Sequence, residues 1–290
     1  MKKIELSGFE HLSSGKVREI YAPKEPDELG SVVLIVATDR ISAFDHILSP
    51  TIPDKGKILT DISRYWFSKL NVPNHFITTQ GVPEQVVGRA MFCKRLEMIP
   101  VECVARGYLT GSAYQEYACT GKFQEFVLPK GLKDGDKLDE VLFTPAIKAQ
   151  VGEHDENVPF DRISQLIGSE LAERLKQLTL NIYETARQIA ESVGITLVDT
   201  KFEFGIDPET EEVVLGDEVL TPDSSRYWDK NGSSYDKQFV RNYLLKDSGW
   251  NPKSNTPPPD IPPEVAQKTA KLYAKIRDLL LSNPTSNSGI

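Results

Sequence analysis

Apolar and polar positions along the chain change period several times, and each period predicts an element. Val32-Val33-Leu34-Ile35-Val36-Ala37 is apolar at every position, the pattern of a strand covered on both faces. Residues 16–21 before it read as another strand, and residues 59–70 after it as an amphipathic helix. Residues 91–104 form a strand-rich stretch. Pro100 inside it lacks a ladder N–H, which predicts a hinge between lobes there. In residues 169–193, Leu171, Leu175, Leu178, Ile182, Ala186 and Ile189 recur at helical spacing, and Gly194 can end that helix. Val198-Asp199-Thr200-Lys201-Phe202-Glu203-Phe204-Gly205 then alternates, placing Lys201 and Glu203 on one face of a strand and Phe202 and Phe204 on the other. The turn residues Asp207-Pro208-Glu209-Thr210 predict a hairpin. Folding it brings Glu203 within about one residue of facing Asp217. The proline-rich residues 251–263 read as an extended linker and 264–281 as a last helix.

Composition narrows the function classes. A length of 290 residues admits one large domain or two smaller ones. Two lobes around a cleft are expected, residues 1–99 and 100–290. The balance of 39% hydrophobic and 26% charged residues is that of an ordinary globular chain, neither disordered nor collagen-like. A net charge of -8 argues against general binding to nucleic acid or anionic membrane, while leaving room for a local basic pocket that captures a small anion. Cys93, Cys103 and Cys119 are odd in number and lack metal-type spacing. No apolar run is long enough to span a bilayer, and no signal-like apolar core follows Met1. A reduced, cytoplasmic setting is therefore expected.

Several segments carry candidate chemistry. Ser13-Ser14-Gly15-Lys16-Val17-Arg18 combines a flexible turn with a cation that suits phosphates, although a surface turn would read the same. Thr38-Asp39-Arg40-Ile41-Ser42-Ala43-Phe44-Asp45 follows the buried strand, where polar residues line a site or cap a helix. Arg106-Gly107-Tyr108-Leu109-Thr110-Gly111-Ser112-Ala113 sets an arginine and a hydroxyl before an expected helix start, suited to a phosphate or, for Ser112, to an N-cap. In Gly152-Glu153-His154-Asp155-Glu156-Asn157 the adjacent acids and the single histidine make a poor metal set. Asp217-Glu218-Val219-Leu220-Thr221-Pro222-Asp223-Ser224-Ser225-Arg226 ends the hairpin in clustered carboxylates, hydroxyls and an arginine. With Lys201 and Glu203 they suit a magnesium–phosphate site, against the plainer reading of a solvated charged face.

These motifs in this order resemble the SAICAR synthetase (phosphoribosylaminoimidazole-succinocarboxamide synthase) family, in the longer form found in yeast. The resemblance covers most of the chain. It implies an α+β fold with a kinase-like ATP-binding N-terminal lobe and an ATP-grasp-related C-terminal lobe. It also implies an ATP-dependent ligase that joins L-aspartate to carboxyaminoimidazole ribonucleotide. By that resemblance Gly15, Lys16 and Val17 hold the ATP phosphates, and the segment around Glu102 is the hinge near the adenine. Lys201 sits beside the transferring phosphoryl group or the substrate carboxylate. Glu203 and Asp217 bind magnesium, with Lys201, Glu203 and Asp217 forming the catalytic set. Arg106, Ser112 and Arg226, with Asp223 and Ser225, hold the ribonucleotide. Asp39, Ser42 and Asp155 contact the imidazole nucleotide or the incoming aspartate. A monomer is expected. Two readings compete: a small-molecule kinase on a related two-lobed fold, distinguished by turnover of ATP without aspartate, and a non-catalytic nucleotide-binding module, distinguished by loss of the magnesium carboxylates or Lys201.

Overall fold

The apolar run at residues 32–37 becomes the central strand of an antiparallel sheet in the computed structural model, which describes residues 4–25, 32–148, 156–254 and 256–282. That first sheet has five strands: β1 (Phe9–Ser14), β2 (Arg18–Pro23), β3 (Val32–Ala37), β6 (Phe76–Thr78) and β7 (Ala90–Lys94), in the order β1-β2-β3-β7-β6. A small hairpin, β4 (Ile41–Ala43) and β5 (His46–Leu48), follows β3. Helix α1 (Lys55–Lys69) then crosses behind the sheet and buries Ile58, Leu59, Ile62, Trp66 and Phe67. It begins a turn earlier than the apolar period alone predicts. Asp39 supplies the reason, since its Oδ1 accepts the Gly56 N–H at 2.9 Å from 17 residues away, satisfying an orphan donor of the first turn. Gly56 itself packs on the end of β3, where a Cβ would meet the Ala37 carbonyl oxygen at 2.5 Å.

A second, seven-stranded sheet begins two residues after β7. Its axis is the pair β8 (Glu97–Leu109) and β14 (Thr196–Ile206), flanked by β11 (Asp136–Phe143), β12 (Ala146–Ile147), β13 (Glu156–Asn157), β15 (Val213–Gly216) and β16 (Ser225–Trp228). Helix α2 (Ser112–Thr120) and the short hairpin β9 (Lys122–Phe123) and β10 (Phe126–Val127) leave the end of β8. The predicted long helix is α4 (Ser169–Ser192), preceded by α3 (Phe160–Ile167). Gly194 ends α4 at φ +77, with its N–H on Glu191 and that of Ile195 on Ala190, the Schellman arrangement that a left-handed glycine allows. Tyr183 of α4 lies on Gly107 of β8 and donates to the Leu197 carbonyl at 2.7 Å. Pro100 lies inside β8, where the register with β14 slips between Gly205 and Glu203. The missing N–H is absorbed by a bulge in a continuous strand.

The last elements, α5 (Gln238–Asn242), a π-helical turn (Tyr243–Asp247) and α6 (Pro263–Leu281), bring the chain back to the first sheet, where α6 packs on α1. One main core runs across both sheets, from Val33, Ile58 and Trp66 to Phe202, Tyr227 and Tyr273.

Candidate active site

Alternate residues of β14, Asp199, Lys201 and Glu203, leave the sheet on one face, while Phe202 and Phe204 on the other are fully buried. The antiparallel register sets Arg106, Val104 and Glu102 of β8 opposite the three. The row spans about 13 Å at 3.3 Å per residue. Glu102 and Glu203 would repel as direct cross-strand neighbours, and Lys201 offsets this by pairing with both. Lys148 gives Glu203 a second cationic partner.

β15 and β16 both pair antiparallel with β14, at residues 203–206 and 196–200. They behave as one interrupted edge, and residues 217–224 are the segment ejected between them. Asp217 at φ +55 and Leu220 at φ +53 turn the backbone out of and back into line. Local sequence gives no sign of this loop, which throws Asp217, Glu218 and Asp223 toward the cleft.

At the Glu203 end lies a cavity of about 490 Å³. Leu12, Ile20, Val33, Ile35 and Met98 give it an apolar wall, and Gly15, Arg18, His75, Lys148, Glu203 and Asp217 a polar end. Arg18 bridges Asp217 at 2.6 Å and Glu218 at 2.8 Å. Burial and the neighbouring Glu203 and Glu218 outweigh Arg18 and push the Asp217 carboxyl up to about 6. Glu203 goes the other way. Burial raises it, but Lys201 and Lys148 win and hold it down at about 2. Burial lowers His75 to about 4, so the ring is neutral at pH 7, and its Nε2–H donates to the Asp217 carbonyl at 3.1 Å.

At the Asp199 end a second, polar cavity of about 250 Å³ is lined by Arg106, Lys201, Asp223, Arg226 and Arg241. Arg106 and Arg226 both bond Asp199 Oδ2, and Arg106 Nε donates to Thr144. One carboxylate thus orients two guanidiniums while leaving the cavity net positive, and burial beside Arg226 lowers the pKa of Arg241. An anion entering here would relieve that repulsion. Gly111, at φ +62 just before α2, lies so close to Arg226 that a Cβ would meet Nη2 at 2.6 Å. The start of α2 at Ser112 is therefore beside this cavity. Lys201, which lines the second cavity, holds its Nζ 3.4 Å from Oε1 of Glu203, which lines the first.

The fold brings together Gly15, Lys201, Glu203 and Asp217, and separately Arg106, Asp223 and Arg226. Lys16 instead points away, pairing with Asp45 at the surface. Glu102 lies inside β8, with the buried Val101 and Cys103 on either side. The link between the sheets that touches the first cavity is Lys94-Arg95-Leu96. Asp39 is committed to the Gly56 N–H and to Arg89 at 3.3 Å, while Ser42 sits half-buried in β4. The Ser225 hydroxyl bonds Thr200 at 2.8 Å rather than facing either cavity. Asp223 is buried between Lys55 at 2.6 Å, Lys237 at 3.8 Å and the Tyr273 hydroxyl at 2.8 Å. Asp155 lies outside the described residues. Sequence reading passed over Arg18, Lys148 and Arg241. Arg18 stands in the segment 13–18 already singled out, but nothing local marks Arg241.

A family profile for SAICAR synthetase matches residues 11–257 of the chain. The phosphoribosylaminoimidazole-succinocarboxamide synthase of Corynebacterium urealyticum is 51% identical over 282 aligned residues, 93% of each chain. Among solved structures, SAICAR-synthase from Saccharomyces cerevisiae, complexed with SAICAR, superposes with a TM-score of 0.81 at 36% identity, covering 96% of this chain and 97% of its own. A type-2 SAICAR synthetase in complex with ADP shares the fold, with a TM-score of 0.71 at 22% identity and coverages of 93% and 97%. The chain thus matches a bacterial and a yeast relative over nearly their whole lengths.

Proposed function

Because this chain belongs to the SAICAR synthetase family, we propose how one sheet face divides the labour of that family's reaction. The protein is an ATP-dependent carbon–nitrogen ligase of purine biosynthesis. It joins L-aspartate to the carboxylate of carboxyaminoimidazole ribonucleotide, giving SAICAR, ADP and phosphate. A carboxylate resists an amine because an oxide would have to leave. Attack of a carboxylate oxygen on the γ-phosphorus breaks the bond to ADP and forms an acyl phosphate. The aspartate amine then attacks the acyl carbon, and phosphate departs with the C–O electron pair.

The first cavity takes ATP, with adenine against the apolar wall and the phosphates at Gly15 and Arg18. Lys16 joins them at little cost, because its pair with Asp45 is 40–46% exposed on both sides and such pairs contribute about 0–1 kcal/mol. The second cavity takes the ribonucleotide, its 5′-phosphate held by Arg106, Arg226 and Arg241 near the start of α2. The observation that carries this reading is the row Asp199-Lys201-Glu203. It joins a phosphate pocket to a nucleotide pocket along one strand face, with Lys201 at the meeting point to steady the charge that moves between them.

Glu203 and Asp217 fit a divalent cation. Both are oxygen donors lining the same cavity, and the Asp217 carboxyl, raised by burial first and by Glu203 and Glu218 next, is a group whose ionised form a cation would stabilise. Glu203 and Asp217 would hold a magnesium ion, which would supply positive charge to offset that of the phosphates. We assign Asp39 to shaping α1 rather than to a substrate. Two lobes, divided near the Lys94-Arg95-Leu96 link, frame the cleft. We infer a working monomer. No described helix is long and apolar enough to cross a membrane. The free thiols Cys93 and Cys103 are buried, and we infer a cytoplasmic setting.

The test is ADP release with magnesium and the carboxylated ribonucleotide, with and without L-aspartate, following product by mass. Aspartate-dependent ADP release matched by succinocarboxamide is expected. ADP release with a phosphorylated acceptor and no need for aspartate would refute the ligase assignment.

A further inference from the structure

The carbonyls of the Gly15-Lys16-Val17-Arg18 turn are all held by two residues of another segment. Arg40 Nη2 donates to Gly15 O at 3.0 Å and to Arg18 O at 3.2 Å, and Nε donates to Lys16 O at 3.0 Å. Thr38 gives both its N–H, at 2.9 Å, and its hydroxyl, at 2.7 Å, to Val17 O. The remaining Arg40 nitrogen, Nη1, bonds Glu19 Oε1 at 2.5 Å. Glu19, only 4% exposed, is itself held by Ser14 and His11. Arg40 therefore ties both ends and the middle of the turn to β2, and its side chain is only 12% exposed.

We propose that Arg40 is a positioning residue for ATP, and that its guanidinium sets the phosphate turn rather than touching substrate. The proposal rests on the first cavity being the nucleotide site. Each carbonyl drawn onto Arg40 or Thr38 is a negative dipole end kept off the cavity, and its peptide presents the positive end the other way, as an anion-binding concavity requires. Without Arg40 the Gly15 and Lys16 carbonyls are free to rotate toward the phosphates and repel them, while Val17 O keeps Thr38 and Arg18 O keeps the Gly15 N–H. A planar fork is needed, since one lysine ammonium cannot meet three carbonyls and a carboxylate in fixed directions. The glycine makes the turn flexible, and Arg40 selects one of its conformations.

The experiment is calorimetric titration of ADP, with steady-state KM for all three substrates, on Arg40→Met, Arg40→Lys and Thr38→Val. Arg40→Met is expected to weaken ADP and raise the KM for ATP by about tenfold or more, with the ribonucleotide KM within about twofold. Arg40→Lys recovers only part of the loss. Thr38→Val, which keeps the N–H contact and so folds even if Arg40→Met does not, is expected to weaken ADP about threefold. A residue that only supports the fold would lower the melting temperature and leave ADP affinity alone. ADP affinity within twofold of the parent in folded Arg40→Met, or no change in Thr38→Val, would overturn the proposal. Arg18→Met separates the two levels. If it weakens ADP while the Arg40 and Thr38 variants do not, only the positioning role fails. If none of them weakens ADP, the nucleotide assignment of this cavity fails with it.

Discussion

Replacing Asp217 by asparagine should stabilise the folded chain at neutral pH while removing turnover. Asp217 sits at φ +55, a conformation that asparagine tolerates better than most residues, so the backbone keeps its path. Its carboxyl is raised from 3.8 to about 6. Between those values the folded protein holds a proton that the unfolded chain releases, so stability falls as pH rises through the window and levels off above it. At 1.36 kcal/mol per unit the full shift is worth about 3 kcal/mol. The side chain keeps 19% of its exposure, which reduces the expectation to about 1–3 kcal/mol. Asparagine imitates the protonated carboxyl and escapes this cost. Urea unfolding of both proteins without nucleotide, from pH 3.5 to 8, should give equal stabilities near pH 4 and a gap in favour of Asp217→Asn that opens by pH 6.5. Turnover at saturating substrates should drop by on the order of 100-fold or more, and stabilisation by magnesium and ADP should disappear. If Asp217→Asn is instead less stable at pH 7, by a margin that closes on acidification, then the attraction of Arg18 outweighs burial and the electrostatic account is wrong. Unchanged turnover would remove Asp217 from the metal site.

Other substitutions probe the remaining parts. Gly111→Ala and Gly121→Ala both put a Cβ at positive φ, but only at Gly111 does that Cβ strike Arg226. Both should lose about 1–2 kcal/mol of stability, and only Gly111→Ala should raise the ribonucleotide KM. Equal KM effects would break the link between that loop and the clamp. Arg226→Ala leaves Asp199 paired with Arg106, so it should fold and raise the ribonucleotide KM about 10- to 100-fold while the KM for ATP stays put. A change confined to ATP would move Arg226 out of the phosphate pocket. Lys55→Met leaves the fully buried Asp223 with Lys237 and Tyr273 only, and unfolding should show a loss of about 3 kcal/mol at pH 7. Asp223 is held down at about 2, as Lys237 and Lys55 overcome its burial. The stability it contributes above pH 4 should therefore vanish as pH falls toward 2, and a Lys55→Met protein with the parent's acid profile would contradict this.

Much of the site was legible wherever its geometry follows from period. The alternation at residues 198–205 put Lys201 and Glu203 on one face, and the hairpin turn put Glu203 opposite Gly216, one residue from Asp217. The arginine at 106 and the run ending at Arg226 stood out as candidates for binding an anion, although only the common pairing of β8 and β16 with β14 brings both to Asp199. Lys16 and Asp39 show the opposite case. Their residue types suited substrate contact, but the fold spends Asp39 on the start of α1 and turns Lys16 to Asp45. Side-chain direction depends on neighbours that local spacing does not name.

The sequence by itself determined the strands around residues 18–23, 32–37 and 198–205, the long helix and the face on which Lys201 and Glu203 stand, because backbone periodicity is a local property that hydrophobic burial reads directly. Tertiary structure alone decided that residues 217–224 loop out between two halves of one sheet edge, that Arg18 bridges Asp217 and Glu218, and that Arg241 completes the second cavity. It also decided that Arg40 holds the turn at residues 15–18. Those contacts join residues 20 to 200 positions apart. Strand register and the packing of α1 against α6 fix them, and no short-range pattern encodes either.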